Sequence, residues 1–361
     1  MKHRGVVYDV GLNFNGNGLS VEPFDPALVK HDFGVIANVL HANAVRIEGE
    51  VIDRLESAAR VAAEYGLTVF FNPWKMGASV EETLGYLKGA AQVAEKLMHQ
   101  GVDIVFVAGC EYSIFSKGVF SGETFNERVS WFASQYAAGE SISDGIPASL
   151  QEPNQRLNDI LVQFATVIRA EFSGALTYSA GVWEDVDWSI FDWVGVDYYR
   201  RGEHEVEYLA GLDRYKAHGT PLAVMEFGCC AYEGAAAPGD GGFTTLLGVN
   251  PDGSGFFKDD IVPTRSETEQ ANYVETQLSL FVDAGVDAAF VFVFSFPCMP
   301  IGEGAKDLDM MSFSLVKTYS ASDTRSKAVP PWAPKAAYHR VADHYKKLAE
   351  AEGSYNRSDP R

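Results

Sequence analysis

DIVFVAGCE (103–111) and PLAVMEFG (221–228) decide how this chain is read, because each is an apolar run that closes on a glutamate, Glu111 in one and Glu226 in the other. Runs rich in Val, Ile, Phe and Ala without clean alternation suit strands of a parallel sheet buried on both faces. A carboxylate at the end of such a strand is costly to keep away from water unless a partner or a task holds it there.

Working outward, the same texture recurs along the chain. Strand-like runs fall at 5–14, 42–47, 67–74, 103–111, 175–181, 194–200, 221–228 and 287–296. Amphipathic stretches at 26–40, 51–65, 80–100, 154–172, 205–218, 266–284 and 334–350 separate or follow them, and VWEDVDWSIFD (182–192) leaves room for only one or two helical turns. Eight strands alternating with helices predict the α/β class and a single-domain (β/α)8 TIM barrel over residues 1–353, with 354–361 a disordered tail. A doubly wound sheet is the competing architecture, but no Gly-x-Gly-x-x-Gly turn follows the first strand. Ser79, with Glu82 three residues on, predicts a capping box, and Pro334 is placed in the first turn of the last helix. Long loops follow strands four (112–152), seven (229–264) and eight (297–333), all at the barrel end where activity resides. The Gly-rich segment 231–255 is expected to be an irregular, mobile lid or rim.

The formal charge of −20 argues against nucleic acid or an anionic membrane as partner. No apolar run reaches the ~20 residues that cross a bilayer, and MKHRG leads straight into a strand rather than a signal-peptide core. Four cysteines (Cys110, Cys229, Cys230, Cys298) without disulfide density point to a reducing cytoplasm. With no Cys-x-x-Cys spacing and scattered histidines, no metal and no cofactor is expected, and the cysteines beside the two glutamates read as small apolar pocket residues. The oligomeric state is left open.

In a βα barrel the C-terminal strand ends carry the chemistry. Two carboxylates placed there by non-adjacent strands are the apparatus that cleaves glycosidic bonds. Aromatic residues gather near other strand ends, namely Phe14, Trp74, Tyr112, Tyr178, Trp183, Tyr198, Tyr199, Tyr232 and Phe296, a rim suited to the C–H faces of a carbohydrate. Trp74 and Lys75 in FFNPWK are the foremost substrate contacts. Asp9, Glu48, Glu50, Glu184, Asp185 and Asp197 add further carboxylates near strand ends, which suit a cationic or amino-sugar ligand, a divalent metal although no spacing motif supports one, or pairing with Arg200 and Arg201.

On these residues the chain resembles the retaining βα-barrel glycoside hydrolases of clan A. The resemblance implies Glu111 as acid/base after strand four and Glu226 as nucleophile after strand seven. It further implies Arg46 in NAVRIEGE as the arginine that orients the nucleophile and keeps it anionic, and Tyr198 or Tyr199 in VGVDYYR as the aromatic beside it. Clan A usually carries Asn-Glu after strand four, whereas this chain has Cys110-Glu111, which places Cys110 against the substrate's 2-position. VAGCEYSIFSKGVF is also similar to uncharacterised barrel proteins labelled abortive-infection proteins. The expected activity is therefore two-glutamate retaining cleavage or transfer of a glycosidic bond in a small soluble glycoside. The alternatives are non-glycosidic acid/base chemistry on a specialised metabolite, or a non-catalytic ligand-binding or phage-defence scaffold.

Overall fold

The computed structural model describes residues 1–14, 16, 18–136 and 146–355. Eight parallel strands close into a barrel: β1 (His3–Asp9), β2 (Ala44–Gly49), β3 (Thr68–Pro73), β4 (Ile104–Cys110), β5 (Ala175–Gly181), β6 (Val194–Asp197), β7 (Leu222–Phe227) and β8 (Ala288–Val291). Each strand pairs with its sequence neighbours, and β8 returns to β1 with His3 opposite Ala288. Helices α1 (Pro26–Asn38), α2 (Ile52–Glu64), α3 (Val80–His99), α6 (Gln151–Arg169), α7 (Glu205–Lys216), α8 (Glu267–Asp283) and α9 (Ala336–Tyr355) cover the outside. The short helices α4 (Tyr112–Phe115) and α5 (Phe125–Ala133) follow β4.

Strand periodicity of two splits the core into two layers. Val45, Val69, Phe71, Phe106, Val194, Val196 and Val224 face the helices. Val7, Phe70, Val105, Val107, Ala223, Met225 and Phe290 fill the barrel interior.

Two strands break that period, and they are the two that end on the glutamates. On β7, Val224 and Phe227 both lie in the outer layer with two residues between them, while β8 sets Ala289 and Val291 opposite the same pair. One residue more on β7 is a β-bulge, so Met225 and Glu226 both turn inward. On β4, Val107 pairs with Thr177 and Cys110 with Ser179, three steps against two. That extra residue is absorbed at Gly109, whose φ of +142° a side-chain-bearing residue rarely adopts.

The predicted capping box forms at the start of α3, where the Ser79 hydroxyl accepts from the Glu82 amide and the Glu82 carboxylate accepts from the Ser79 amide. Pro334 ends a short strand, Trp332–Pro334, paired with Val316–Thr318, and α9 begins only at Ala336. The Ala336 amide is taken by Glu267, which does the capping that the proline was expected to allow. Segment 231–255 is more regular than its glycines implied, with a 3-10 turn at Gly239–Thr245 and a hairpin of Leu246–Val249 against Gly255–Phe257. LLGV and GFF are strand-forming, and the NPDGS turn between them is closed by the Asn250 amide donating to the Ser254 carbonyl at 2.8 Å. Helix α9 runs to Tyr355, past the start of the expected tail at 354, and residues 356–361 lie outside those described. Among the described residues no helix is long and apolar enough to cross a membrane.

Gly109→Ala is expected to cost about 1–3 kcal/mol, because a Cβ there meets only Tyr178 at an ordinary 3.5 Å and the penalty is conformational. Denaturant unfolding measures it, and an unchanged midpoint would show that the bulge does not need glycine.

Candidate active site

Arg46 projects from β2 into the top of the barrel and is fully buried. Its Nη1 donates to Glu226 Oε1 at 2.8 Å and to the Met225 carbonyl at 3.1 Å, and its Nη2 donates to Glu48 at 3.0 Å. Nε donates to the Asn72 side-chain oxygen at 3.0 Å. The same guanidinium lies 3.8 Å from Asp197. Tyr199 donates its phenol to the other Glu226 oxygen at 2.8 Å. Glu226 is thereby held on both oxygens, by a guanidinium on one and a phenol on the other.

Glu111 is held differently. It sits in the left-handed region with φ +40° and ψ +46°, at the junction of β4 and α4. Its amide is tied to the Ser179 carbonyl at 2.8 Å, and its own carbonyl accepts from the Ile114 and Phe115 amides. The next two amides are taken from outside the turn, Tyr112 by the Tyr178 hydroxyl at 2.7 Å and Ser113 by Glu184 at 3.0 Å. A non-glycine residue in this conformation costs about 1–2 kcal/mol, so the surrounding bonds fix the backbone of Glu111 against a real penalty. Burial above all, with Glu226 adding to it, pushes its carboxyl well above the usual range.

Cys110 bridges the two halves of the site. Its Sγ donates toward Asp197 and Glu226, each at 3.5 Å, and Asp197 also accepts from Ser179 at 2.7 Å. Burial and the two carboxylates raise the thiol well above its ordinary value, so it stays S–H. Burial likewise raises Glu48 and Asp197 well above the carboxylate range, the latter with help from Glu226. The sulfur and the oxygens of Asp197 and Glu226 lie within 4.8 Å of one another, a donor set that could hold a cation. A metal ion there would face the Arg46 charge that already engages Glu226, so the trio is better described as a hydrogen-bonded cluster.

The barrel thus brings Arg46, Cys110, Tyr199 and Glu226 into direct contact. Trp74 lies beside Cys110 with Leu12, Phe14 and Phe115 around it, and its indole nitrogen has no partner among the described residues. Lys75 is exposed on the rim. Four expected substrate contacts point elsewhere. Tyr178 on β5 and Tyr198, one residue past β6, both have outward parity, and Tyr198 donates to the Tyr208 carbonyl on α7 at 2.7 Å. Tyr112 packs edge-on against Phe164 of α6. Trp183 packs against Phe132 and donates to Ser113 at 3.0 Å. These four belong to the layer between sheet and helices, although Tyr178 still acts on the site through the α4 turn.

Asn72 and Ser179 were not anticipated, and both were readable as polar residues at inward parity beside Phe70 and Thr177. Arg201, expected to pair with carboxylates near the strand ends, pairs instead with Asp240 of the 229–264 loop at 2.8 Å, near Glu111.

The fold is that of the βα-barrel glycoside hydrolases. A GH113 β-1,4-mannanase in complex superposes with a TM-score of 0.57 at 14% identity, covering 96% of this chain and 99% of that one. The GH113 β-mannanase from Alicyclobacillus acidocaldarius in complex with ManMIm gives 0.57 at 15%, covering 96% and 97%. The β-glycosidase of the hyperthermophile Thermosphaera aggregans gives 0.54 at 8%, covering 95% of each. No protein-family model and no curated protein matches the sequence.

The buried acids fix the sign of the pH response. Burial lifts Asp9 and Asp32 to about 6 and Glu184 to about 7, against the hydrogen bonds each accepts. Each group then holds its proton more tightly folded than unfolded. Their contribution is full below the unfolded values near 4 and is lost as pH rises to about 7. Stability to denaturant should fall across that window, by about 3 kcal/mol from Glu184 alone. Glu184→Gln should flatten the slope, and stability that climbs steadily from pH 5 to pH 8 would contradict the assignment.

Proposed function

We propose that the protein is a glycoside hydrolase-like enzyme that cleaves or transfers a glycosidic bond by a retaining two-glutamate mechanism. The observation that carries this reading is the asymmetry of the two carboxyls. Both are delivered to the barrel mouth by bulged strands, yet one is clamped by a guanidinium and a phenol and the other is pushed toward its protonated form chiefly by burial. A retaining glycosidase needs that difference, since one group attacks the anomeric carbon while the other keeps a proton for the leaving oxygen. Glycosidases with the same barrel over their whole length support a carbohydrate substrate.

Glu226, aimed by Arg46 and Tyr199, attacks the anomeric carbon and forms a glycosyl ester. Glu111, kept protonated chiefly by burial, gives its proton to the departing oxygen. The deprotonated Glu111 then takes a proton from water, which attacks the anomeric carbon, breaks its bond to the Glu226 oxygen and frees the carboxylate. Cys110 with Asp197 stands where a clan A enzyme would present an asparagine amide. This favours a substrate whose 2-position differs from a plain hydroxyl, and it keeps open a second reading in which the same pair performs acid/base chemistry on a non-glycosidic metabolite.

A panel of aryl glycosides, including 2-amino and 2-acetamido sugars, should yield a substrate whose kcat falls by about 10²–10⁴ in Glu111→Gln. A 5-fluoro glycoside of that sugar should add the mass of its fluoroglycosyl group, with loss of the aglycone, to the peptide carrying Glu226. Labelling at another residue, or turnover indifferent to loss of Glu226, would discard the retaining mechanism. Turnover of a non-glycosidic compound with no glycosyl ester would select the second reading.

A further inference from the structure

Arg201 and Asp240 form an ion pair beside the barrel mouth that the two-glutamate chemistry leaves unused. Arg201 Nε lies 2.8 Å from Asp240 Oδ1, and Nη2 donates to Oδ2 at 2.8 Å, so the guanidinium grips the carboxylate along one edge. Both charges are close enough to act on Glu111, and Asp240 acts on Tyr199 as well. Neither side chain is sealed off, since Arg201 keeps 17% and Asp240 27% of its side-chain exposure. Glu111 is itself partly exposed.

The loops that carry the pair are held together without it. A Cβ at Gly239 would collide with the Arg200 carbonyl, so the Gly239–Thr245 turn lies directly on the backbone that follows β6. The Tyr273 hydroxyl accepts from the Arg200 amide at 2.8 Å and donates to the Arg200 carbonyl at 2.9 Å. The Arg201 amide donates to the Glu203 carboxylate, and the Tyr232 hydroxyl donates to the Gly242 carbonyl at 2.9 Å. An ion pair that still meets water adds little to stability. The bracing instead fixes a cation and an anion side by side next to Glu111, ready to meet a ligand without rearrangement.

The chemistry of the pair selects that ligand. Its charges cancel, which favours neither an anion nor a cation. Nη1 stays outside the paired edge, and each carboxylate oxygen accepts more than one hydrogen bond. A donor beside an acceptor matches neighbouring hydroxyls of a sugar, which both accept and donate. An alkyl or aryl group offers nothing to either.

The group that meets the acid/base carboxyl is the one that departs, because that carboxyl protonates the leaving oxygen. We propose that Arg201 and Asp240 determine specificity for the leaving group, and that this group is a second neutral sugar rather than an apolar aglycone. The inference rests on the two-glutamate reading of the site and gives it a substrate class, a disaccharide or longer oligosaccharide.

The test uses the glycosyl unit that the aryl panel identifies, offered as its homodisaccharides and as its cyclohexyl glycoside. Both kinds of substrate need the Glu111 proton and release a ring of similar size, but only the disaccharides carry hydroxyls on it. The native enzyme should favour the best disaccharide by about tenfold or more in kcat/KM. Asp240→Asn and Arg201→Gln should each cut that ratio about tenfold or more, whatever they do to the separate rates. A disturbance of Glu111 or of the fold would lower both rates together and leave the ratio unmoved. An unmoved ratio in either variant overturns the proposal, as does a native preference for the cyclohexyl glycoside. With Glu226 labelled by the 5-fluoro glycoside, those results would leave the two-glutamate mechanism standing. No label and no glycoside turnover would overturn both.

Discussion

One buried guanidinium organises the top of this barrel. Arg46 faces Glu48, Asp197 and Glu226 in a buried setting. Three carboxylates around one cation cannot all ionise cheaply at low dielectric. Burial resolves the conflict by holding Glu48 and Asp197 toward their protonated forms, which gives the Arg46 charge to Glu226 at 2.8 Å. The remaining Arg46 donors are spent on Asn72 and the Met225 carbonyl, so the side chain has little freedom to turn. A lysine could not make that fan of contacts.

The geometry that feeds Glu226 to Arg46 depends on violating strand periodicity. Without the extra residue on β7, Glu226 would follow Met225 in strict alternation and lie among the helix-facing residues. The bulge on β4 has a parallel role, because Cys110 must face inward for its thiol to reach Asp197 while Glu111 leaves the strand in a left-handed turn. Both departures fall on catalytic candidates, and each is braced by hydrogen bonds from neighbouring elements, namely Ser179, Tyr178 and Glu184 for β4 and the Tyr198 amide on the Glu226 carbonyl for β7.

What the sequence made legible follows the same line. Long buried strands announced themselves by composition, and the paired strand-end glutamates stood out because carboxylates are rare there. The bulges were not visible, since an added residue leaves the local composition of VFVAGC or LAVMEF unchanged and shows only in the partner's register. That is also why the aromatics were sorted imperfectly. Tyr198 and Tyr199 are adjacent and chemically identical, and only parity decides that Tyr199 meets Glu226 while Tyr198 packs on Tyr208. The hairpin in 231–255 was hidden by its glycines, and the Arg201–Asp240 pair by 39 residues of separation.

Cys110 is where the proposed chemistry departs furthest from the barrel it resembles. An asparagine amide donates strongly to a sugar hydroxyl, whereas a thiol is a weak donor, and this one is already directed at Asp197 and Glu226. A carboxyl held protonated, as Asp197 is, can donate as well as accept. The Cys110–Asp197 pair therefore replaces a fixed amide with a group whose hydrogen-bonding sense depends on its proton. Since hydrogen bonds to the 2-position strengthen as the oxocarbenium-like transition state forms, a substrate carrying a basic nitrogen there would gain most from a carboxyl able to release its proton, and a plain hydroxyl would gain least.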